Sequence, residues 1–173
     1  HGYKFNFTQI IKKYNSQKYK NAVTCISDIN GERASSWCKL LVLKERMKIS
    51  NLKYYCWMDS DAYFNNQNIN IEKIFEISNK SLLVFYNYPW LMKNLKCCAG
   101  VMFWRNNNIS HQILDDWWNV PGFRHFNQMH DYEQSVLNRY LIKKYPNDIE
   151  IINIKTMIHY HPQMFIRHIS SPE

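Results

Sequence analysis

The sequence lacks the cysteine spacing that marks zinc sites. Its cysteines are odd in number, and no two of them form a C-x-x-C pair; they are Cys25, Cys38, Cys56, Cys97 and Cys98. A structural zinc site is therefore not expected. Unpaired cysteines are most often buried thiols in a reducing compartment. We accordingly expect free thiols and a cytoplasmic protein, with the Golgi lumen as the alternative location.

Long apolar runs and blocks of like charge are also missing. No stretch reaches the roughly eighteen apolar residues that a membrane span requires. The net charge of +8 suggests an anionic partner. The lysines are scattered, however, and no nucleic-acid-binding motif is present, so solvated helix faces explain most of the charge. The anionic partners that the charge suggests are nucleic acid, a membrane surface and a phosphorylated small molecule. Of these we do not expect nucleic acid, and we expect no membrane span in this chain.

The chain does contain enough apolar residues for a core, and its predicted elements alternate. Hydrophobic residues make up 46% and aromatic residues 16%, which excludes general disorder. We expect one domain over 1–173. Residue patterns predict strands over 3–7, 53–58, 82–86, 97–104 and 149–154, and helices over 7–19, 36–49, 71–77, 110–118 and 131–145. Strands that alternate with helices predict an α/β layer architecture.

Two carboxylates follow one of these predicted strands. Asp59 and Asp61 come directly after the apolar run 54–58, with only Ser60 between them. Open α/β sheets bind ligands at the carboxyl ends of buried strands, where the chain leaves regular alternation. Two acids at this spacing can converge on one cation, and hard oxygen ligands select Mg²⁺ or Mn²⁺, which commonly also hold a diphosphate. The alternative is a turn that carries two solvated acids.

Several segments together resemble the metal-dependent glycosyltransferases of the GT-A fold. In chain order they are H-G-Y at 1–3, W-C-K-L at 37–40, Y-C-W-M-D-S-D-A at 55–62, A-G-V-M-F-W-R-N at 99–106, D-Y-E-Q-S at 131–135 and I-R-H at 166–168. The resemblance spans nearly the whole chain. It is strongest to the fungal galactosyl- and mannosyltransferases and the plant xyloglucan xylosyltransferases. The Asn-, Lys- and Ile-rich composition also suits an enzyme encoded by a large DNA virus.

The resemblance implies a Rossmann-like GT-A fold, with a mixed central sheet flanked by helices. It also implies transfer of a sugar from a nucleoside diphosphate sugar to a hydroxyl of a glycan or glycoprotein, with retention of configuration favoured over inversion. The sequence departs from the family in two ways. We expect the first strand and helix of the fold to be missing before His1, and in the family that first strand helps to hold the nucleotide base. Cys98 stands where the family has Asn or Thr.

The resemblance assigns roles to individual residues. The metal ligands would be Asp59, Asp61 and His168, with His159 and His161 as alternatives to His168. The residues that bind the nucleotide-sugar donor would be Lys39, Asp59, Gly100, Arg105 and Gln134. The catalytic candidates are Asp131 and Glu133, either of which can be the base that an inverting reaction needs.

Most of these assignments have a structural alternative. Lys39 can be an ordinary solvated lysine, and Arg105 can belong to a structural ion pair. Asp131 and Gln134 fit a capping box at a helix start, which would explain both residues without a ligand. Aromatic side chains can stack on sugars, although core packing is their commoner role; the candidates are Trp57, Trp90 and Trp104.

Other classes of protein compete with an enzyme of this kind. A haloacid-dehalogenase phosphatase also places D-x-D at a strand end, but it requires Thr or Val where this chain has Tyr63. A non-catalytic carbohydrate-binding module and a basic nucleic-acid-binding domain remain as alternatives. Transfer of a sugar from a nucleotide sugar would exclude the carbohydrate-binding module. Salt-sensitive retention on nucleic acid, with no binding of a sugar nucleotide, would favour the nucleic-acid-binding domain.

Overall fold

The computed structural model describes residues 24–27, 31–60, 62–64, 72–76, 78–86, 96–129, 132–152 and 166–168. The strands are β1 (Thr24–Ser27), β2 (Gly31–Ala34), β3 (Tyr54–Met58), β4 (Ala62–Phe64), β5 (Leu82–Tyr86), β6 (Cys97–Arg105), β7 (Ile149–Ile152) and β8 (Ile166–His168). The helices are α1 (Cys38–Ile49), α2 (Glu72–Glu76), α3 (Asn108–Trp118), α4 (Phe123–Gln128), α5 (Tyr132–Val136) and α6 (Ile142–Lys144). A 3-10 turn, Ser35–Trp37, precedes α1, and a π-helical segment, Leu137–Leu141, joins α5 to α6. Within these residues, no helix is long and apolar enough to cross a bilayer.

The central sheet has four strands in the order β3-β6-β5-β7. Strand β6 runs antiparallel to both β3 and β5, whereas β5 and β7 are parallel. Strands β3, β5 and β7 therefore all end at one edge of the sheet, and β6 begins there. We call this line of strand ends, which carries Met58, Asp59, Tyr86 and residues 97–100, the site edge.

Two further two-stranded sheets are present among the described residues. Strands β1 and β2 pair antiparallel, and β4 pairs antiparallel with β8. In the second pair, the backbone of His168 lies opposite that of Ala62. Strand β8 therefore brings the distant end of the chain next to the segment that directly follows the two aspartates.

The mixed α/β architecture agrees with the sequence prediction, whereas several boundaries and some short elements differ from it. Helix α3 begins two residues earlier than predicted, because the Asn107 side chain caps it by accepting a hydrogen bond from the Ser110 N–H at 2.9 Å. The helix predicted over 131–145 is interrupted by the π-helical segment. Residue patterns did not predict the β1–β2 pair. The strand predicted over 3–7 and the helix predicted over 7–19 lie outside the described residues.

Helices cover both faces of the central sheet. Leu82 and Trp104 share one apolar cluster with side chains of α1, α3 and the π-helical segment. Leu83 and Phe103 belong to a second cluster on the other face, together with side chains of α2. This alternation along β5 and β6 is the period of two that a strand imposes on its side chains. Trp104 is fully buried, so core packing accounts for it and stacking on a sugar does not.

A buried arginine attaches the β1–β2 pair to the helices. The Arg33 guanidinium carbon lies 4.7, 4.4 and 4.0 Å from the ring centroids of Trp37, Trp118 and Phe123. A guanidinium stacks favourably on aromatic faces because their electron-rich surfaces attract its charge. Burial lowers the pKa of Arg33 to about 10, so the side chain stays charged at neutral pH. The cationic cluster thus orients the chain that enters α1.

The expectation of free thiols is wrong at Cys38. Cys38, the first residue of α1, is disulfide-bonded. Cys56, Cys97 and Cys98 are free, as expected. The side chain of Cys25 lies outside the described residues. Counting cysteines did not reveal the bond because pairing requires two Cα atoms within about 7 Å, which is a property of the tertiary fold.

A surface cluster between α3 and α6 makes stability dependent on pH. Asp116 accepts a hydrogen bond from the Tyr145 hydroxyl and pairs with Lys144 at 2.7 Å. Partial burial acts to raise the pKa of Asp116, but the bonds from Lys144 and Tyr145 outweigh it, and the net pKa is lowered. The pKa of Tyr145 is raised to about 12, by burial first and then by the hydrogen bond to Asp116. The carboxylate form of Asp116 therefore stabilises the folded state.

Replacing Asp116 by Asn should lower the free energy of unfolding by about 1 kcal/mol at pH 7, because the Lys144 pair and a charge-assisted bond are lost. A depressed carboxyl pKa gives stability that is present above the unfolded value near 3.9 and lost as pH falls through the folded value. The difference in unfolding free energy between wild type and Asp116→Asn should therefore vanish at acid pH. Urea unfolding between neutral and acid pH measures it. The control is Glu76→Gln on an exposed helix face, and a pH-independent difference for Asp116→Asn would contradict the assignment.

Candidate functional site

The turn after β3 places Asp59 at the site edge. The Asp59 N–H donates to the Gly100 carbonyl at 2.8 Å, so strand pairing with β6 continues one residue beyond β3. The Ala62 N–H then donates to the Asp59 carbonyl at 3.0 Å, which closes a tight turn into β4. The backbone of Asp59 is thereby fixed on both sides. Asp61 lies outside the described residues, although the residues on either side of it belong to this turn.

Lys39 is the centre of the described site. Its ammonium nitrogen lies 2.9 Å from Asp59 Oδ1 and 3.1 Å from Asp59 Oδ2, and 3.0 Å from Glu133 Oε1. It also donates to the Ala99 carbonyl at 3.3 Å. Only 5% of the Lys39 and Glu133 side chains is exposed, against 32% of Asp59. The lysine therefore joins the end of β3 to the start of α5 inside the protein, and it is not a solvated surface lysine.

The two carboxylates keep Lys39 charged. Burial alone would lower the pKa of Lys39, but the negative charges of Glu133 and Asp59, together with their hydrogen bonds, outweigh this and raise it. All three protons of the ammonium group have acceptors within the protein. The predicted contact of Lys39 with a phosphate stays a prediction, and it would require one of these bonds to be exchanged. One positive and two negative charges leave the cluster with a net negative charge.

Trp57 orients the Asp59 carboxylate. The indole N–H donates to Asp59 Oδ1 at 2.6 Å, and the ring centroid lies 5.9 Å from the Lys39 ammonium nitrogen. Trp57 is half-buried at the end of β3. Trp57 packs against the apolar cluster that contains Trp104, so core packing accounts for part of its surface, and its stacking on a sugar stays a prediction. The indole N–H thus holds one carboxylate oxygen, while the Lys39 ammonium group contacts both.

The first turn of α5 is tied to the rest of the site edge. The Trp117 indole N–H donates to the Glu133 carbonyl at 2.9 Å. Gln134 Oε1 accepts a hydrogen bond from the Ala99 N–H at 2.8 Å. This bond to β6 gives Gln134 a structural role that does not depend on a capping box. Asp131, the other member of that predicted box and a catalytic candidate, lies outside the described residues.

Asn138 is a residue that sequence reasoning missed. Its Oδ1 accepts bonds from the N–H groups of Lys96 and Cys97 at 2.7 and 2.9 Å, and its amide donates to the Cys97 carbonyl at 2.9 Å. Asn138 lies in the π-helical segment, where an extra residue in the turn alters the direction of side chains. A lone Asn in a predicted helix carries no signal of this role. It holds the beginning of β6 against the helix that carries Glu133.

Cys98 lies beside this cluster as an uncharged thiol. The Gly100 N–H donates to Cys98 Sγ at 3.2 Å. Burial raises the pKa of Cys98 to about 11, so the thiol is neutral at physiological pH. A sulfur acceptor here stabilises the local β6 backbone next to Asp59. Cys98 therefore adds no charge to the site edge, although the family that the sequence resembles has Asn or Thr at this position.

Arg105 is not part of this cluster. It stands at the end of β6 opposite Tyr54, at the edge of the sheet away from Asp59. Its guanidinium donates to the carbonyls of Phe75, Ser78 at 2.6 Å and Lys80 at 3.1 Å. These bonds organise the backbone between α2 and β5. Where the sequence left phosphate binding and a structural role open, this geometry favours the structural role, and within the described residues the partners are backbone carbonyls.

Replacing Arg105 by Met should therefore destabilise the protein without weakening ligand binding at the site edge. Loss of three charge-assisted bonds to carbonyls should cost about 2–4 kcal/mol of unfolding free energy. Denaturant unfolding measures the change in unfolding free energy. The affinity for nucleotide sugars measures whether ligand binding at the site edge is intact. The matched control is Arg139→Met, an exposed arginine of the π-helical segment. A loss of nucleotide-sugar affinity with little change in stability would restore the donor-binding assignment.

The structure thus brings together five of the residues singled out from the sequence: Lys39, Asp59, Gly100, Glu133 and Gln134. The His168 backbone lies opposite Ala62, but its side chain, like Asp61, His159, His161 and Trp90, lies outside what the structure describes. Among the described residues, no three His, Cys, Asp or Glu side chains form a group that could hold a metal. The expected ligands Asp61 and His168, with the alternatives His159 and His161, are not among these described side chains, so the metal site stays a prediction.

Comparisons with known proteins show a likeness in fold. No protein-family model matches the chain, and no curated protein matches its sequence. Among solved structures, the fold is similar to that of a chain described as a glycosyltransferase involved in the glycosylation of the major capsid of PBCV-1. The two chains are 19% identical with a TM-score of 0.64, and the match covers 79% of this chain and 70% of the other. At this identity the likeness establishes the fold alone.

Proposed function

We propose that the protein is a glycosyltransferase of the GT-A type, which transfers a sugar from a nucleoside diphosphate sugar to a hydroxyl acceptor. The observation that carries the proposal is the buried Lys39, which holds Asp59 at the end of β3 and Glu133 at the start of α5 in one negatively charged cluster. Ligands of α/β sheets bind at this type of edge. The likeness in fold to a glycosyltransferase supports the same reaction class.

We further propose that Asp59, Asp61 and His168 hold a divalent cation, Mn²⁺ or Mg²⁺. The net negative charge of the described cluster suits a cation. Asp59 is partly exposed, and its Oδ2 keeps a lone pair beyond the bond from Lys39. The β4–β8 pairing supports His168 as a ligand, because its backbone lies opposite Ala62, the residue after Asp61. Carboxylate and imidazole ligands suit both ions.

The residues of the chain prepare this site for a diphosphate leaving group. When bound, the cation would stabilise the negative charge that develops on the diphosphate. Lys39 and Trp57 fix the Asp59 carboxylate before the donor arrives, so little reorganisation is needed during the reaction. Gly100 and Gln134 lie at the same edge, and we assign them to donor contacts. Glu133 acts through Lys39 as a positioning residue.

The arrangement favours retention of configuration. An inverting reaction needs a carboxylate that can remove the proton of the acceptor hydroxyl. The two described carboxylates of the site edge, Asp59 and Glu133, both receive hydrogen bonds from Lys39, and Glu133 is almost fully buried. Neither is free to serve as this base. Asp131 remains as the candidate base if the reaction inverts.

The same comparison supports our proposals for the acceptor and the source of the protein. The similar structure is described as involved in the glycosylation of a major viral capsid. This supports a glycoprotein or glycan acceptor for the present chain and an origin in a large DNA virus. The disulfide at Cys38 favours an oxidising compartment, such as the Golgi lumen, over the cytoplasm.

A panel of nucleoside diphosphate sugars tests the proposal. Each donor is added with and without Mn²⁺, and thermal unfolding is followed, because a ligand that binds the native state raises its stability. We expect one donor class to raise the melting temperature only with metal, and the same donor to support transfer to a glycan acceptor. Binding without transfer to any acceptor would instead favour a carbohydrate-binding module. Equal stabilisation with EDTA would exclude the proposed metal.

A further inference from the structure

The backbone of Tyr132 has an unusual conformation at the start of α5. Its φ is +40°, and no other non-glycine residue in the described ranges has a positive φ. A bulky side chain in this region is strained because its Cβ crowds the following carbonyl group. Such strain persists only where the surrounding structure enforces it, and it concentrates at ligand sites.

Three contacts in the next turn enforce this conformation. The Glu133 carboxylate pairs with Lys39 at 3.0 Å, and the Glu133 carbonyl accepts from the Trp117 indole. Gln134 Oε1 accepts from the Ala99 N–H. On the other side, the Tyr132 N–H donates to the Met129 carbonyl at 3.1 Å. The backbone is therefore held both before and after Tyr132, and its side chain projects from a fixed position.

The strained turn separates two neighbouring side chains. Glu133 points into the protein with 4% of its surface exposed, whereas 39% of Tyr132 is exposed. An aromatic ring is thereby presented one residue from the carboxylate that Lys39 links to Asp59. A rigid ring offers a flat contact surface at little cost in conformational entropy. The C–H face of a pyranose sugar complements such a surface, since its slightly positive hydrogens meet the electron-rich face of the ring.

We propose that Tyr132 forms the binding subsite for the acceptor sugar, with its ring stacked against one face of a pyranose. The proposal rests on the proposed glycosyl transfer, since that reaction supplies the second sugar. The strained turn serves to aim the ring while Glu133 remains on Lys39. Tyr132 is then a determinant of acceptor affinity, and it has no part in binding the metal or the diphosphate.

Fluorine NMR tests sugar contact without any enzymatic assay. The full chain is labelled with 3-fluorotyrosine, and the Tyr132 signal is identified by its loss in Tyr132→Phe. The probes are the methyl glycosides of glucose, galactose, mannose and xylose. We expect at least one of them to shift the Tyr132 signal in a saturable manner. The signal of Tyr54, at the far edge of the sheet opposite Arg105, should stay in place and is assigned through Tyr54→Phe. No shift of Tyr132 with any probe overturns the proposal.

Transfer kinetics supply the second measurement, with Tyr132→Asn as the informative variant. Asn tolerates a positive φ, so the turn should survive and the melting temperature should not fall. We expect the acceptor KM to rise roughly tenfold, with the donor KM and kcat within about twofold of wild type. Tyr132→Phe should retain the wild-type acceptor KM because it keeps the ring.

An unchanged acceptor KM in Tyr132→Asn overturns the proposed acceptor subsite but leaves the proposed transferase activity standing. A saturable shift of Tyr132 without transfer from any donor instead contradicts the proposed function and retains the sugar-binding surface.

Discussion

Replacing Asp61 by Asn is expected to abolish metal-dependent transfer while leaving the fold intact. Asn has the shape of Asp but lacks the negative charge that a hard divalent cation requires. Loss of the stabilised leaving group should lower the rate by roughly 10³-fold, which corresponds to about 4 kcal/mol of transition-state stabilisation. The melting temperature should change by no more than about 2 °C, because a ligand site at a turn contributes little to the core. Initial rates as a function of Mn²⁺ concentration, together with thermal unfolding, measure both effects.

The matched control is Asp148→Asn. Asp148 directly precedes β7 and lies beside Ser81, at the edge of the sheet away from Asp59. This variant should keep the wild-type rate and metal dependence. The metal assignment fails if Asp61→Asn retains the Mn²⁺ dependence, or if EDTA-treated wild-type protein is fully active. His168→Ala should weaken Mn²⁺ binding less than Asp61→Asn, since imidazole is a neutral ligand; if it has no effect, His159 or His161 becomes the candidate.

The central sheet could be predicted from the sequence because its strands are short apolar runs bounded by polar residues. Strands β3, β5, β6 and β7 all lie within or close to the predicted ranges. The β1–β2 pair was missed because both strands are only four residues long and Gly31–Ala34 contains two charged residues, Glu32 and Arg33. Arg33 in particular reads as a solvated charge, yet three aromatic rings enclose it. Such a contact depends on how distant elements pack, and no local pattern encodes it.

The sequence predicted which residues form the candidate site better than it predicted the contacts between them. The motif order singled out Lys39, Asp59 and Glu133, but nothing in their spacing states that one ammonium group joins both carboxylates. Arg105 follows an apolar strand just as Asp59 does, and the sequence offered no way to tell the two edges of the sheet apart. The antiparallel register of β6 against β3 decides this, since it places Arg105 opposite Tyr54. Strand direction is thus the information that the motifs lacked.

Replacing Lys39 by Met is expected both to destabilise the protein and to stop transfer. Asp59 and Glu133 would then share a largely buried site without the ammonium group between them. Removing one partner of a buried ion pair typically costs about 3–5 kcal/mol, which lowers the melting temperature of a domain of this size by roughly 10 °C. Lys39→Arg should restore little, because a planar guanidinium cannot direct its donors at all three acceptors. Denaturant unfolding and transfer rates measure the two effects.

A double variant separates the two roles of Lys39. In Lys39→Met combined with Glu133→Leu, apolar side chains replace most of the buried charge, and such replacements often restore stability. We expect a melting temperature near that of wild type but a transfer rate still reduced by at least roughly 10²-fold, because Asp59 is no longer held in place. Lys44→Met is the matched control on the same helix, since its partner Asp115 is partly exposed and the loss of such a pair costs little. Full transfer by the stable double variant would show that Lys39 acts on stability alone and would contradict its role in positioning Asp59.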